Sequence, residues 1–210
     1  GIPERTVEAV RTAAEAGYRR LRLRITPETK LVTLHAVQNV FPGMITLDAN
    51  RTFQARDSAK LEALDMLGAA WIEEPLDPAS NYDGRHSPIA QVANLQRKMN
   101  TPLAIDESYG DAAAAERVLQ FVDLRLICIK IPKFGGVEAA LRFLVQAQGQ
   151  GREVVVGAPF GTGVMKRLTA AFETLPGVLA PGDIDAPMRV FETDITWPTY
   201  GITRGYLVLN

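Results

Sequence analysis

The chain has 210 residues, of which 47% are hydrophobic and 22% charged, a composition typical of a soluble globular domain. Its 23 basic and 24 acidic residues leave a net charge of −1, which gives no electrostatic reason to expect nucleic acid or an anionic membrane as a partner. The single cysteine cannot form an internal disulfide, and no apolar run is long enough to span a bilayer, so the sequence predicts a cytoplasmic protein.

Short apolar runs alternate with longer amphipathic stretches, which is the pattern of repeated β/α units around a parallel sheet. The predicted strands are Arg20–Ile25, Met44–Asp48, Ala70–Glu73, Leu103–Asp106, Leu124–Lys130, Glu153–Gly157 and, less regularly, Val178–Leu179 leading into Asp183. The predicted helices are Pro3–Ala16, Pro27–Val40, Gln54–Leu67, Ile89–Met99, Ala112–Phe121, Gly136–Gln148 and Gly163–Thr174. This count is one unit short of a (β/α)8 barrel.

The boundaries of several helices carry the expected chemistry. Pro3 and Pro27 suit the first turn of a helix, and Asp111 suits the cap of the helix that follows it. We therefore predict a barrel domain over residues 1–185. Residues 186–210 do not continue the alternation of strands and helices, and they are predicted to form an irregular or antiparallel tail that packs on the barrel.

Four charged side chains stand at the ends of four consecutive predicted strands. They are Asp48, Glu73, Asp106 and Lys130, each about one β/α unit from the next. Charged residues in such a barrel belong at the carboxyl ends of the strands, where the active sites of this fold lie. Three close carboxylates need a cation, and oxygen ligands suit a hard ion, so the pattern predicts a Mg²⁺ site, with Mn²⁺ as a substitute.

A structural reading of the same residues stays open. Each acid alone could be a helix cap or a solvated loop residue, and Lys130 alone could be a surface lysine. All four residues stand at the ends of successive strands, and this pattern favours one site that they share. Glu74 and Glu107, which adjoin two of the acids, should point the other way by strand alternation, and we expect them to support the neighbouring ligands or to be structural.

The order of these motifs resembles the barrel domain of the enolase superfamily. LDAN, IEEP, IDES and IKIPKFGG are followed by GTG at Gly161–Gly163 and by APGDID, and the likeness spans about Val7 to Val208. Within the superfamily the chain is most similar to the muconate-lactonizing subgroup, and there to the o-succinylbenzoate synthase / N-succinylamino acid racemase family. The resemblance implies a TIM-type barrel.

The resemblance also implies a mechanism and assigns residues to it. Asp48, Glu73 and Asp106 would bind Mg²⁺, and Lys130 would be a catalytic acid or base. The reaction would remove a proton α to the carboxylate of a small substrate through a metal-stabilised enolate. The product would be o-succinylbenzoate, on the way to menaquinone, or the epimer of an N-acylated amino acid. The family's capping domain and first barrel strand have no counterpart here beyond Gly1-Ile2, so we expect an incomplete barrel.

The second strand of the resembling family carries Lys-X-Lys, where this chain has Arg22-Leu23-Arg24. Residues i and i+2 share one face of a strand, so both arginines should point into the barrel. A guanidinium stays protonated and is a poor base, so we expect Arg22 to bind substrate and Arg24 to clamp a substrate carboxylate or stabilise the enolate. Alternatively, Arg20, Arg22 and Arg24 form the solvated face of an exposed strand.

Two further positions are predicted to contact substrate, Asn50 and Asp183. Asp183-Ile184-Asp185 resembles the Asp-X-Asp with which dipeptide epimerases of the same subgroup hold an ammonium group. Three functions therefore remain open: synthase or racemase, dipeptide epimerase, and a catalytically impaired metal-binding remnant. A homo-oligomer is also left open.

Overall fold

The structure is a computed structural model that describes residues 3–80, 87–185 and 191–209. Seven strands form one sheet: β1 Arg20–Arg24, β2 Met44–Asp48, β3 Ile72–Glu73, β4 Leu103–Ile105, β5 Leu126–Ile129, β6 Glu153–Gly157 and β7 Val178–Asp183. The α-helices are α1 Pro3–Glu15, α2 Leu31–Val40, α3 Ser58–Asp65, α4 Pro88–Gln96, α5 Ala112–Val118, α6 Val137–Gly149 and α7 Gly163–Glu173. Short 3₁₀ helices cover Ala55–Asp57 and Ile131–Phe134.

The strands pair in chain order, and every pair from β1 to β7 is parallel. The fold is therefore a TIM-type α/β barrel that is nearly closed, which confirms the predicted fold class. Within the described residues β1 and β7 are not paired with each other. We call the gap between β1 and β7 the seam of the barrel. Arg20 of β1 reaches across it, since its Nη1 donates a hydrogen bond to the carbonyl oxygen of Pro181 in β7 at 3.3 Å.

Two apolar layers hold the barrel. The larger layer packs the outer face of the sheet against the helices and includes Phe53, Leu64, Ile72, Ile105 and Val154. The smaller layer fills the inside of the barrel and consists of Trp71, Ala104, Leu126, Cys128 and Val155. Because side chains alternate along a strand, the residues two positions beyond this inner layer also face inward, at the carboxyl ends of the strands.

Two predicted helix boundaries fare differently. Asp111 caps α5 as predicted, since its Oδ1 accepts a hydrogen bond from the Ala114 N–H at 2.7 Å. The prediction that a helix starts at Pro27 is wrong, because α2 begins at Leu31. Pro27 instead lies inside a turn in which the Thr29 N–H donates to the Thr26 carbonyl at 2.9 Å. Proline fits the second position of such a turn as well as the first turn of a helix.

The end of the chain forms a hairpin, as the tail prediction allowed. Strands β8 Tyr200–Thr203 and β9 Tyr206–Leu209 are antiparallel, and Arg204 and Gly205 connect them with positive φ. The hairpin lies against the turn that follows α1, where the Arg19 guanidinium is 5.8 Å from the centre of the Tyr206 ring. The division of the domains at residue 185 stays a prediction.

The two predictions made for Gly1-Ile2 and for residues 186–190 lie outside the described residues. Among the helices in the described ranges, none has both the length and the apolar character needed to cross a membrane.

Candidate active site at the carboxyl ends of the strands

Three carboxylates are buried at one end of the barrel. Asp48 ends β2, Glu73 ends β3, and Asp106 follows β4 directly; their exposed fractions are 1%, 3% and 0%. The strand register places Asp48 opposite Glu73. Like charges this deeply buried destabilise one another unless a cation or a proton neutralises them.

Ionisation of Glu73 is unfavourable in the metal-free protein. Burial, together with the neighbouring carboxylates of Asp106 and Asp48, raises the pKa of Glu73 to about 9. Glu73 is therefore protonated at neutral pH in the metal-free protein. A divalent cation would replace that proton, and a set of buried carboxylate oxygens is the donor chemistry that hard divalent ions take. The residues present fit such an ion.

Asp106 is neutralised by two lysines. The Lys130 ammonium pairs with its Oδ2, and Lys133 Nζ donates to its Oδ1 at 2.9 Å and to its main-chain oxygen at 2.7 Å. Burial favours a raised pKa for Asp106, but the two ammonium groups outweigh burial and lower it. Burial likewise favours a lowered pKa for Lys130, yet the charge of Asp106 and its hydrogen bond raise it above its usual value. In the metal-free protein Lys130 is therefore an acid rather than a base.

Arg22 connects the acids to the opposite side of the seam. Its Nη1 lies 3.1 Å from Asp48 Oδ2 and 3.7 Å from Glu73 Oε1, and its Nη2 lies 3.3 Å from Asp183 Oδ2. Arg24 lies farther out, 4.0 Å from Asp48 Oδ2, with a side chain that is 69% exposed. Arg22 thus belongs to the floor of the site, whereas Arg24 stands at its mouth.

The exposed-face reading of the arginines fails for Arg20. The Arg20 guanidinium lies 4.5 Å from the ring centre of Trp71, inside the barrel, and donates to Thr46 Oγ1 at 3.3 Å. Burial lowers the pKa of Arg20, although the nearby acids oppose the change. Arg22 and Arg24 are both exposed in part, but Arg22 nevertheless pairs with Asp48 and Asp183.

Two residues hold the acids in place. Asn50, predicted as a substrate contact, donates from Nδ2 to Asp48 Oδ1 at 2.8 Å and so positions that carboxylate. Glu74, buried with a φ of 45°, accepts from the N–H groups of Asp106 at 2.6 Å and Ser108 at 2.7 Å. Its other oxygen accepts from Arg51 Nε at 3.3 Å. The predicted structural role of Glu74 is therefore that of fixing the loop that carries Asp106.

A second ion pair lies beside β7. Lys166, which is 1% exposed, pairs with Asp185, and the Tyr200 hydroxyl donates to the Asp185 carbonyl at 3.0 Å. Sequence reasoning missed Lys166 and the contacts of Lys133. The residues next to Lys166 and Lys133 in the sequence do not indicate these contacts, because the partners, Asp185 and Asp106, come from other β/α units. Asp183 and Asp185 are thus both paired with cationic side chains.

Comparison with known proteins agrees with this geometry. A sequence model described as "Enolase C-terminal domain-like" matches residues 5–209. The chain is 33% identical to an N-succinylamino acid racemase of Thermus thermophilus over 193 residues, which cover 91% of this chain and 50% of that protein. It is 27% identical to an o-succinylbenzoate synthase of Bacillus subtilis, over 97% of this chain and 53% of that protein.

A solved structure gives the same result. The crystal structure of a protein from Enterococcus faecalis, described as an unknown member of the enolase superfamily, superposes with a TM-score of 0.86 at 28% identity, covering 99% of this chain and 55% of that one. The chain therefore spans about half the length of the relatives that it matches.

Proposed function

Because the chain belongs to the enolase C-terminal domain-like family, we propose that it removes a proton α to the carboxylate of a small substrate in a Mg²⁺-dependent reaction. The proposed reaction is most like that of o-succinylbenzoate synthase, in a cytoplasmic route to menaquinone, or of N-succinylamino acid racemase. One observation carries the proposal: three buried carboxylates meet at the strand ends with the Lys130 ammonium directly against one of them.

In this proposal Asp48, Glu73 and Asp106 hold Mg²⁺, for which Mn²⁺ can substitute. The bound ion supplies electrostatic stabilisation of the negative charge that develops on the substrate carboxylate. Lys130 takes the α-proton. The free Asp106 carboxylate keeps Lys130 protonated, and an ion held by Asp106 would offset that charge and so favour the neutral amine.

Arg24 has the position of a substrate clamp. Its side chain is exposed at the mouth of the site, and a guanidinium binds a carboxylate well but is a poor proton acceptor. One base serves proton exchange or elimination, whereas racemisation needs a donor and an acceptor on opposite faces of the substrate. We therefore place elimination or slow exchange ahead of two-base racemisation.

The charge pattern of β7 weighs against the dipeptide epimerase alternative. Asp183 lies 3.3 Å from Arg22, and Asp185 pairs with the buried Lys166. Each carboxylate already faces one cation, so an N-acylated substrate suits this site better than a free amine. The remaining alternative is a metal-binding remnant without turnover.

A proton-exchange experiment tests the proposal. The protein is incubated in D₂O with an N-succinylamino acid, with and without Mg²⁺, and loss of the α-proton signal is followed by NMR. We expect Mg²⁺-dependent exchange that Lys130→Met abolishes in a variant that still folds and binds Mg²⁺. Mg²⁺ binding by the unaltered chain without exchange would refute the proposal and support the remnant.

A further inference from the structure

Two lysines that follow β5 reach the same carboxylate. Lys130 comes directly after the strand, and Lys133 lies in the 3₁₀ helix Ile131–Phe134, where its N–H donates to the Lys130 carbonyl at 2.9 Å. Both ammonium groups contact Asp106, and both side chains are 21% exposed. Burial therefore does not distinguish the two lysines, and a difference in their roles must come from their contacts.

The Lys133 ammonium has three oxygen acceptors, one for each of its N–H groups. Its Nζ donates to Asp106 Oδ1 at 2.9 Å, to the main-chain oxygen of Asp106 at 2.7 Å and to that of Tyr109 at 3.2 Å. In the described part of the chain the Lys130 ammonium donates to Asp106 Oδ2 alone. Lys133 thus connects the carboxylate of Asp106 to the main chain around it, whereas Lys130 only neutralises the carboxylate.

The surroundings of Lys133 hold its ammonium in this place. Nζ lies 4.3 Å from the centre of the Tyr109 ring, and the Tyr109 hydroxyl donates to the Cys128 carbonyl of β5. The ring of Phe134, next to Lys133 in the chain, packs against Tyr109 with 5.8 Å between the ring centres. The loop that carries Asp106 and the turn that carries Lys133 are therefore fixed to each other.

We propose that Lys133 is a positioning residue of the metal site, which holds Asp106 Oδ1 so that Oδ2 is the oxygen left for an ion and for Lys130. The inference rests on the proposed function in taking Asp106 as a metal ligand. Ligating carboxylates are themselves held by hydrogen bonds, and the loss of such a partner typically costs about 10–100-fold in metal affinity or activity. All three N–H groups of Lys133 are bonded to protein oxygens, so its effect passes through Asp106 rather than through direct contact with substrate.

Positioning and charge predict opposite effects when a lysine is removed. An ammonium repels a divalent cation, so the loss of its charge alone strengthens Mg²⁺ binding, whereas the loss of a group that orients a ligand weakens it. Lys130→Met removes a charge and leaves the carboxylate connected to the main chain, and it should bind Mg²⁺ more tightly than the unaltered protein. Lys133→Met should bind Mg²⁺ about tenfold more weakly.

The two variants are matched controls for each other. Each removes one positive charge from the same carboxylate, and the two side chains have equal exposure. Calorimetric titration with Mg²⁺ measures the affinities of variants whose folding is checked by circular dichroism. Lys133→Arg, which keeps the charge and several N–H donors, should bind Mg²⁺ more tightly than Lys133→Met.

The direction of the change in affinity decides the outcome. If Lys133→Met does not fold, Lys133→Gln, which keeps a donor without the charge, takes its place with the same expected weakening. Unchanged or tighter Mg²⁺ binding in the folded variant overturns the inference, because Lys133 would then be a countercharge only. No Mg²⁺ binding by the unaltered protein overturns it as well.

This outcome is separable from that of the proposed function. The affinities are measured without substrate, and proton exchange is measured on the unaltered protein. Weaker binding by Lys133→Met without any exchange in the unaltered protein refutes the proposed reaction and leaves the positioning role standing. Exchange in the unaltered protein together with unweakened binding by Lys133→Met refutes the positioning role alone.

Discussion

The Arg22 guanidinium lies 3.1 Å from the carboxylate of Asp48, the first of the acids proposed to bind the metal. An internal cation thus partly neutralises the site, and it does so from β1, at the open seam of the sheet. The same group reaches Asp183 of β7 at 3.3 Å. Arg22 therefore compensates the buried acids and also joins the two unpaired edges of the barrel.

Replacing Arg22 should destabilise the metal-free protein and increase its response to metal. In Arg22→Met, Asp48 keeps a buried charge without its partner, which costs about 1–3 kcal/mol after allowance for the partial exposure of Arg22. A bound ion would restore the missing compensation, so Mg²⁺ should stabilise the variant more than the unaltered protein. Urea unfolding with and without Mg²⁺ measures both effects.

Arg97→Met is the matched control for that experiment. Arg97 pairs with Asp123 at 2.7 Å on the surface, with side-chain exposures of 53% and 24%. Its loss should cost at most about 1 kcal/mol and should not change the response to Mg²⁺. Equal behaviour of the two variants would contradict the role given to Arg22.

The raised pKa of Glu73 predicts how stability and metal affinity depend on pH. Glu73 keeps its proton in the folded metal-free protein up to a pH of about 9, but it ionises above about 4.5 in the unfolded chain. The folded state therefore binds more protons between these values, and the free energy of unfolding of the metal-free protein should fall as the pH rises through them. Below about pH 4.5 this contribution is constant.

Mg²⁺ binding should show the opposite trend, because the ion displaces the Glu73 proton. Its affinity should increase with pH up to about 9, by up to about tenfold for each pH unit. Calorimetry at pH 7 in buffers of different ionisation enthalpy should detect about one released proton. Glu73→Gln removes the titrating group, and a proton release that survives in this variant would assign it to another residue.

Arg24→Lys should raise the rate of α-proton exchange. Arg24 stands within 4.0 Å of Asp48 at the mouth of the site, and a lysine there can lose its proton near a bound cation, which arginine cannot. We expect an increase of at least about tenfold, below the roughly 10²–10⁴-fold of an optimised general base. Arg19→Lys, on the Tyr206 side of the barrel, should leave the rate unchanged. No gain in folded, Mg²⁺-loaded Arg24→Lys would argue against this account.

The sequence was sufficient for the positions of the acids but not for their partners. Apolar runs ending in Asp48, Glu73 and Lys130 identify strand ends because charge is rare elsewhere in a buried parallel strand. Which cation each acid meets depends on side-chain rotamers across three or four β/α units, and periodicity contains no such information. This explains why the contact of Arg22 with Asp183 and the pairing of Lys166 with Asp185 emerge only from the fold.

Local ambiguity accounts for the remaining differences. Pro27 satisfies the first turn of a helix and the second position of a β-turn equally well, so composition could not place the start of α2. Glu74 was correctly expected to be structural, but its φ of 45° and its bonds to the loop after β4 could not be predicted. The second of the two adjacent glutamates in IEEP is the one local feature of the sequence that indicated a supporting role for Glu74.

Glu74→Gln should weaken metal binding without touching a metal ligand. One carboxylate oxygen of Glu74 accepts from the N–H groups of Asp106 and Ser108, and the other accepts from the Ser108 hydroxyl at 2.7 Å and from Arg51. An amide nitrogen in place of the second oxygen would face the Arg51 donor, leaving a buried polar group unsatisfied at a cost of about 1–3 kcal/mol. The loop that carries Asp106 would lose its fixed position, and Mg²⁺ affinity should fall about tenfold.

Calorimetry and urea unfolding measure the two losses, and Glu138→Gln, at an exposed position of α6, is the control that should show neither. A Glu74→Gln variant as stable and as tightly metal-binding as this control would remove Glu74 from the support of the site.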